Sequence, residues 1–227
     1  MVHHDDEPEG TTTRGAAPAA FAREWRALAS RRGWHPAAAE RWLVDLLARH
    51  NEPHRHYHGA KHVADLLARL RALPFERPDE AVAAAFLHDA VYRVGAPDNE
   101  ARSADLAREV LDELDGAAFA DRVAALCLAT ASHAATGDAD ADLFLDADMA
   151  VLGDPPPLYA RYRAAVMREY LTAVPREDYL AGRIALFIEP TLAGGPIFHT
   201  PAMADREGQA RENLAREADW LHAGAPS

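Results

Sequence analysis

Apolar residues recur at helical spacing almost without a break from Pro18 to His222, and this periodicity restricts the fold more than any other feature of the chain. Phe21, Trp25 and Leu28 share one face of a first helix, and similar spacing returns in the later segments. Ala, Leu and Arg dominate, β-branched residues are few, and no segment alternates like a strand. The sequence therefore predicts an all-α fold, a single-domain helical bundle over residues 18–223. Residues 1–17 mix charge, Thr, Gly and Pro without a period, and they are predicted to form a disordered tail.

Proline, glycine and capping residues divide the periodic region into separate helices. The acidic stretch 137–142 is predicted to be loose, and residues 50–57 to form a shaped loop. After the first helix, further helices are predicted from Pro36 onward and over about 59–73, 78–92, 98–114, 117–133, 144–152, 158–173, 176–191 and 205–222.

The charge of the chain argues against a nucleic-acid or membrane partner. Asp and Glu number 36 against 24 Lys and Arg, which gives a formal net charge of −12. Such a surface repels phosphate backbones and anionic lipid, and no window holds the roughly 18 apolar residues of a membrane span. The N-terminus lacks the apolar core of a signal peptide, so a cytoplasmic location is expected. Cys127, the single cysteine, lies in an apolar helical run and is expected to be a buried thiol.

Histidine and aspartate interrupt three helical segments in ways that suggest a metal site. His58 and His62 are four residues apart, so they share a helix face with Asp65, beside the apolar stripe of the same helix. His88 and Asp89 fall in a segment that is otherwise apolar nearly all round. An ionisable pair buried there costs several kcal/mol unless it is paired or ligated.

The third segment, around 143–153, carries Asp146 and Asp148 in an apolar run. Two residues along a helix differ by about 200° in direction. Only one of the two carboxylates is therefore expected to be a primary ligand, and the other to cap the helix or orient a neighbouring ligand. Spacing alone leaves the choice open. It also leaves open a polar core network that holds no metal.

The order His62, His88-Asp89, Asp148 resembles the H…HD…D signature of the HD superfamily of metal-dependent phosphohydrolases, and particularly a bacterial branch of predicted HD phosphohydrolases. This resemblance covers roughly residues 20–222. It implies that all four residues hold one ion and that Asp148 is the ligand of the aspartate pair. The matching stretches are Glu52–His58, Phe86–Tyr92, Asn99-Glu100 with Ser103, Leu145–Asp148 with Leu152-Gly153, Arg168-Glu169-Tyr170 and Ala210–Leu214.

The segment from Tyr57 to Asp65 also resembles the metal-binding helix of cyclic-nucleotide phosphodiesterases, in which the first histidine donates a proton to the leaving oxygen. That resemblance implies a general-acid role for His58. The chain departs from the phosphodiesterase pattern at Gly59, where those enzymes have Asn, and this departure argues against cyclic nucleotides as substrates.

Together these features predict a hydrolase for a small phosphorylated molecule, a nucleotide among the candidates, that uses one divalent ion (Mn, Fe, Co, Ni, Zn or Mg) with room for a second. Glu100 or Asp89 is the candidate proton acceptor, and His58 or His133 the candidate acid. Arg55 is a candidate phosphate clamp, since a guanidinium matches two phosphate oxygens. Asp146 and Asp65 are expected to support the ligands or the substrate. The oligomeric state is left open.

Simpler roles compete with each assignment. His58 could be a structural hydrogen-bonder, Glu100 a first-turn carboxylate favoured by the helix dipole, His133 a partner of helix-end carbonyls, and Arg55 a loop-shaping residue. Arg168 and Glu169 look like a solvated pair. A regulatory module that binds metal or nucleotide without turnover is the alternative function. A di-iron oxygenase is a third hypothesis, which needs more ligands than His133 offers.

Overall fold

The computed structural model describes residues 13–225, with side chains from Gly15 onward. Helices joined by turns and loops make up this range, which contains no strand. The predicted all-α, single-domain bundle is thereby confirmed. The helices are α1 (Thr13–Arg32), α2 (Pro36–His50), α3 (Ala60–Leu70), α4 (Pro78–Leu87), α5 (Asn99–Leu114), α6 (Ala117–Ala129), α7 (Ala139–Met149), α8 (Pro156–Tyr170), α9 (Arg176–Arg183), α10 (Glu189–Ala193) and α11 (Glu207–His222). Short 3₁₀ turns cover Ala150–Gly153 and Ala204–Arg206, and a π-helical turn, Ile184–Ile188, joins α9 to α10.

Helix α4 is the centre of the bundle, because nearly every side chain of its second half is buried. Phe86 packs against two aromatic rings of α1, with ring centroids 4.7 Å from Phe21 and 5.2 Å from Trp25. The Trp25 indole donates a hydrogen bond of 2.8 Å to the Ala39 carbonyl. Helices α1 and α2 are thus fixed to each other and to α4, which gives the residues after α4 a rigid base.

Helix α4 ends at Leu87, five residues before the predicted end. The first residues beyond it keep backbone hydrogen bonds, from His88 N–H to the Ala84 carbonyl at 2.8 Å and from Ala90 N–H to the Leu87 carbonyl at 3.1 Å. Side chains then bind the backbone of Val91 and Arg93. Val91 N–H donates to Ser103 Oγ at 3.1 Å, and the Asn99 side chain bonds both the N–H and the carbonyl of Arg93, at 3.0 and 2.9 Å. Periodicity could not reveal this early end, since the groups that replace the helical bonds lie on α5.

The prediction of a loose acidic segment over 137–142 was wrong, because α7 already begins at Ala139. The Asp138 carboxylate caps the helix by accepting from Ala141 N–H at 2.9 Å. Asp140 is buried and accepts from the backbone N–H groups of Glu76 and Arg77, each at 2.8 Å. These carboxylates hold the start of α7 against the loop before α4.

Helix α1 extends further toward the N-terminus than predicted. It begins at Thr13, so residues 13–17 of the predicted tail are helical. The remainder of that tail, residues 1–12, lies outside the described residues. At 20 residues α1 has the length to cross a bilayer, but neither it nor any other helix in 13–225 is apolar enough to do so.

Candidate metal centre

Three elements bring two imidazoles and two carboxylates to one point in the bundle. His62 comes from α3, His88 and Asp89 follow the end of α4, and Asp148 lies in the last turn of α7. The two Nε2 atoms of the histidines are 3.1 Å apart. These four residues are called the His–Asp cluster below: His62, His88, Asp89 and Asp148.

The carboxylate oxygens of the cluster lie close to both rings. Asp89 Oδ2 is 3.2 Å from His88 Nε2 and 3.7 Å from His62 Nε2. Asp148 Oδ1 is 3.2 Å from His62 Nε2 and 3.6 Å from His88 Nε2. One ligand atom from each of His62, His88 and Asp89 lies within 4.8 Å of the others, which is close enough to share an ion.

The chemistry of this donor set fits a divalent cation. His88 Nδ1 donates to the Ala84 carbonyl at 3.2 Å, so Nε2 of the neutral ring presents a lone pair to the cluster. That lone pair faces Nε2 of His62, and both histidines are buried. Two ring nitrogens at 3.1 Å need a proton or a cation between them. Mixed imidazole and carboxylate ligands suit Zn²⁺ and related ions.

Electrostatics within the cluster favour a positive charge. Burial alone would lower the pKa of His88, but the charges of Asp89 and Asp148 outweigh it and raise that pKa to about 9. Burial alone would raise the pKa of the Asp89 carboxyl, yet His88 holds it well below its usual range. The pKa of Asp148 is likewise lowered against burial, by His88, His133 and His62.

Asp146 lies away from the His–Asp cluster, although it is fully buried. Its carboxylate accepts from the N–H groups of His199 and Thr200 at 2.7 and 2.8 Å, and from Thr200 Oγ at 2.6 Å. His199 Nε2 in turn donates to the His133 carbonyl at 2.7 Å. Asp148, two residues further along α7, is the aspartate beside the two histidines.

His133 reaches the cluster through its side chain. Its Nε2 lies 3.0 Å from Asp148 Oδ2, and its backbone adopts a left-handed φ of 48°. A non-glycine residue in that conformation is unusual and has to be held by its surroundings. The bond from His199 supplies that support. His133 is therefore connected to a carboxylate of the cluster and, through His199, to Asp146.

His58 pairs with a carboxylate that the sequence analysis misjudged. Its Nδ1 lies 2.5 Å from Oε1 of Glu169, and the same oxygen accepts from the hydroxyl of Tyr92 at 2.7 Å. Oε2 of Glu169 accepts from the backbone N–H groups of Tyr57 and His58 at 2.9 and 3.1 Å. Glu169 is fully buried, whereas Arg168 is exposed. The prediction of a solvated pair was wrong. The helical spacing of Tyr162, Val166 and Glu169 placed this carboxylate on the inner face of α8.

The His58–Glu169 contact shifts both pKa values in the direction of an ion pair. Burial opposes the charge on His58, but the hydrogen bond to Glu169 together with the charges of Asp89, Glu169 and Asp148 outweighs burial, and the pKa of His58 is raised. Burial also opposes ionisation of Glu169, yet His58 lowers its pKa to about 2.

The cluster opens onto a cavity of about 240 Å³ that also holds the candidate acid and base. Glu100, in the first turn of α5, lies on its wall, and no residue of the described chain forms a hydrogen bond or ion pair with its carboxylate. Arg183, which the sequence analysis did not single out, lies on the wall too. The lining is rich in aromatic rings: Tyr57, Tyr92, Tyr162, Tyr170 and Phe187.

Arg55 and Asp65 do not line this cavity. The Arg55 guanidinium is buried and donates to the carbonyls of His58, Asp89 and Ala90 at 3.0, 2.5 and 3.2 Å. It therefore fits the loop-shaping alternative, not a phosphate clamp. Asp65 is exposed and pairs with Lys61 at 2.6 Å, so it does not support the ligands. Helix α3 is rotated so that His62, but not Asp65, faces inward.

The packing around Gly59 explains why the chain departs there from the phosphodiesterase pattern. A Cβ atom at this position would lie 2.9 Å from the His50 carbonyl oxygen, which is closer than real Cβ contacts come. An asparagine side chain does not fit without movement of the loop.

No family model matches the chain, and no curated protein matches it.

Proposed function

We propose that this chain is a metal-dependent phosphohydrolase with an HD-type helical bundle, acting on a small phosphorylated molecule. The observation that supports this proposal is the convergence of His62, His88, Asp89 and Asp148 at the wall of one cavity. These residues come from three separate elements and match the order of the HD signature. A divalent ion bound there would activate water and neutralise developing charge on phosphorus.

His58 is the residue suited to protonate the leaving oxygen. Glu169 fixes its Nδ1, and Nε2 takes part in no hydrogen bond with the described residues. Because the pKa of His58 is raised, its ring stays protonated up to a higher pH than the ring of a free histidine. A proton on Nε2 is thus available to the cavity that His58 lines.

Glu100 is the candidate proton acceptor. Its carboxylate lies on the cavity wall without an ion-pair partner among the residues described, so it is free to accept a proton from water. Asp89, the other candidate, already lies 3.2 Å from His88 and is better suited to holding the ion.

Two aspartate variants test the proposal. Asp89→Ala removes a cluster carboxylate, whereas Asp65→Ala, the control, removes an exposed aspartate of α3. Purified proteins are analysed for bound metal. They are then assayed with generic phosphate esters and nucleoside mono-, di- and triphosphates in the presence of Mn²⁺, Zn²⁺, Co²⁺ or Mg²⁺.

Wild type and Asp65→Ala are expected to carry metal and hydrolyse at least one substrate, and Asp89→Ala to do neither. Turnover by Asp89→Ala at the wild-type rate would refute the scheme. Metal binding by the wild type without turnover on any substrate would favour the regulatory module.

A further inference from the structure

Arg183 is a buried cation on the cavity wall that the proposed chemistry does not use. It ends α9, and its side chain is only 8 % exposed. The π-helical turn Ile184–Ile188 follows directly and carries Phe187, whose ring centroid lies 4.1 Å from the guanidinium carbon. π-helical turns occur often at functional sites.

A carboxylate on α11 fixes the plane of this guanidinium. Nε donates to Glu217 at 3.1 Å, while Nη2 donates to the Tyr162 hydroxyl at 3.0 Å and, more weakly, to Glu217 at 3.4 Å. Glu217 itself is fully buried and also accepts from the Tyr159 hydroxyl. No hydrogen bond within residues 13–225 uses Nη1, and Nη1 is not among the fully buried unpaired atoms of that range. The Nη1 amino group of the guanidinium is therefore available to a ligand.

Arg183 is set apart from the His–Asp cluster by two aromatic rings. Tyr162, which accepts from Arg183, has its ring centroid 4.8 Å from that of Tyr57, and the Tyr57 ring lies 5.0 Å from that of His62. Beyond Arg183 the cavity adjoins a second one of about 360 Å³, and the side chains of Tyr170, Arg183 and Phe187 line both. A ligand that contacts the cluster at one end therefore meets Arg183 further along.

We infer that Arg183 binds an anionic group of the substrate, a phosphate or carboxylate remote from the scissile phosphate. This inference rests on the proposed function for the position of the scissile group. It specifies the substrate class as a small molecule with two anionic groups. A guanidinium whose plane is already fixed loses little freedom when it donates to such a group.

Two variants separate this role from a purely structural one. Glu217→Gln keeps Arg183 and removes its competing carboxylate, whereas the double variant Arg183→Gln/Glu217→Gln removes the cation without leaving a buried charge unpaired. Each chelator-treated protein is titrated with inorganic phosphate at pH 7.5, and binding is followed by ³¹P NMR. Circular dichroism checks folding, and calorimetry measures Mn²⁺ affinity.

Phosphate is expected to bind Glu217→Gln at least threefold more tightly than wild type, and the double variant at least tenfold more weakly than Glu217→Gln. Mn²⁺ affinity is expected to be unchanged in both. Equal phosphate affinity in the folded single and double variants would overturn the inference. Phosphate binding that depends on Arg183, in a wild-type protein that holds no metal and hydrolyses nothing, would support the subsite and refute only the phosphohydrolase.

Discussion

Glu169 illustrates how a single buried carboxylate can organise one side of the candidate site. It is fully buried and accepts hydrogen bonds from two side chains and two backbone N–H groups. A buried charge is tolerated only when it is paired and hydrogen-bonded in this way. Glu169 therefore contributes to stability as well as to the orientation of His58.

The pKa of Glu169 predicts a dependence of stability on acid. Because its folded pKa of about 2 lies below the value of about 4.5 in the unfolded chain, the ionised group stabilises the fold above pH 4.5. This contribution is lost as the pH falls toward 2. Between pH 5 and pH 3, the free energy of unfolding of the wild type is expected to fall by roughly 2 kcal/mol more than that of Glu169→Gln. Urea unfolding of both proteins at both pH values measures the difference. An equal loss of unfolding free energy in wild type and Glu169→Gln would contradict the prediction.

Removal of Asp146 is expected to lower stability, whereas removal of Asp148 is expected to abolish metal binding. Asp146→Ala leaves three donors around residues 199–200 without an acceptor, so it is expected to lower the free energy of unfolding by about 2–4 kcal/mol. Its folded fraction should still bind metal. Asp148→Ala should lose metal instead. Chemical denaturation and metal analysis of both variants provide the measurement, and loss of metal from folded Asp146→Ala alone would reverse the assignment.

The sequence singles out residues whose chemical signal is local, and the structure brings His62, His88, Asp89 and Asp148 together. His88 and Asp89 stand out because they interrupt an apolar run. Asp146 and Asp148 do so equally, and only the family resemblance favoured Asp148. Sequence reasoning missed Glu169 and Arg183 because their partners, His58 and Glu217, lie 111 and 34 residues away. Nothing in a helical repeat indicates which charged residue faces a distant partner. Glu169 had only the weaker signal of its place on an inner helix face.

The loop before α3 supports the end of α4. The Arg55 guanidinium donates to the carbonyls of Asp89 and Ala90, which the end of the helix leaves without helical partners. It bonds the His58 carbonyl as well and so connects two parts of the site. Helix-end carbonyls of this kind cannot be located from periodicity, and for this reason the sequence predicted α4 to run on to residue 92.

This contact predicts that Arg55 is needed for the position of the ligands. Arg55→Lys keeps the charge, but a single ammonium cannot reach three carbonyls, so the free energy of unfolding is expected to fall by roughly 2–4 kcal/mol and metal affinity to fall with it. The matched control is Arg49→Lys, because the Arg49 side chain pairs with Asp45 alone among the described residues, on the partly exposed face of α2. This control is expected to change the free energy of unfolding by less than about 0.5 kcal/mol. Urea unfolding and metal titration compare the two. Equal, small effects would show that the hydrogen bonds of Arg55 to these carbonyls do not hold the ligands in position.

The His–Asp cluster joins parts of the bundle that are distant in the chain. Residues 62, 88, 89 and 148 belong to three elements that meet only in the native fold. An ion held there would bind the folded chain far better than the unfolded one. Metal binding and global stability are therefore linked by mass action.

This linkage predicts that an added divalent ion raises the melting temperature of the wild type. At a free concentration 100 times the dissociation constant, the stabilisation is about 2.7 kcal/mol, which corresponds to roughly 5–10 °C for a chain of this length. Asp89→Ala lacks a cluster carboxylate, so the ion is expected to raise its melting temperature by less than about 1 °C. The melting temperature of Asp65→Ala should rise as much as that of the wild type. Differential scanning calorimetry with Mn²⁺ or Zn²⁺, before and after chelation, provides the test. A shift of the same size in all three proteins would mean that the ion binds elsewhere on this acidic surface, because only the cluster distinguishes Asp89→Ala from Asp65→Ala.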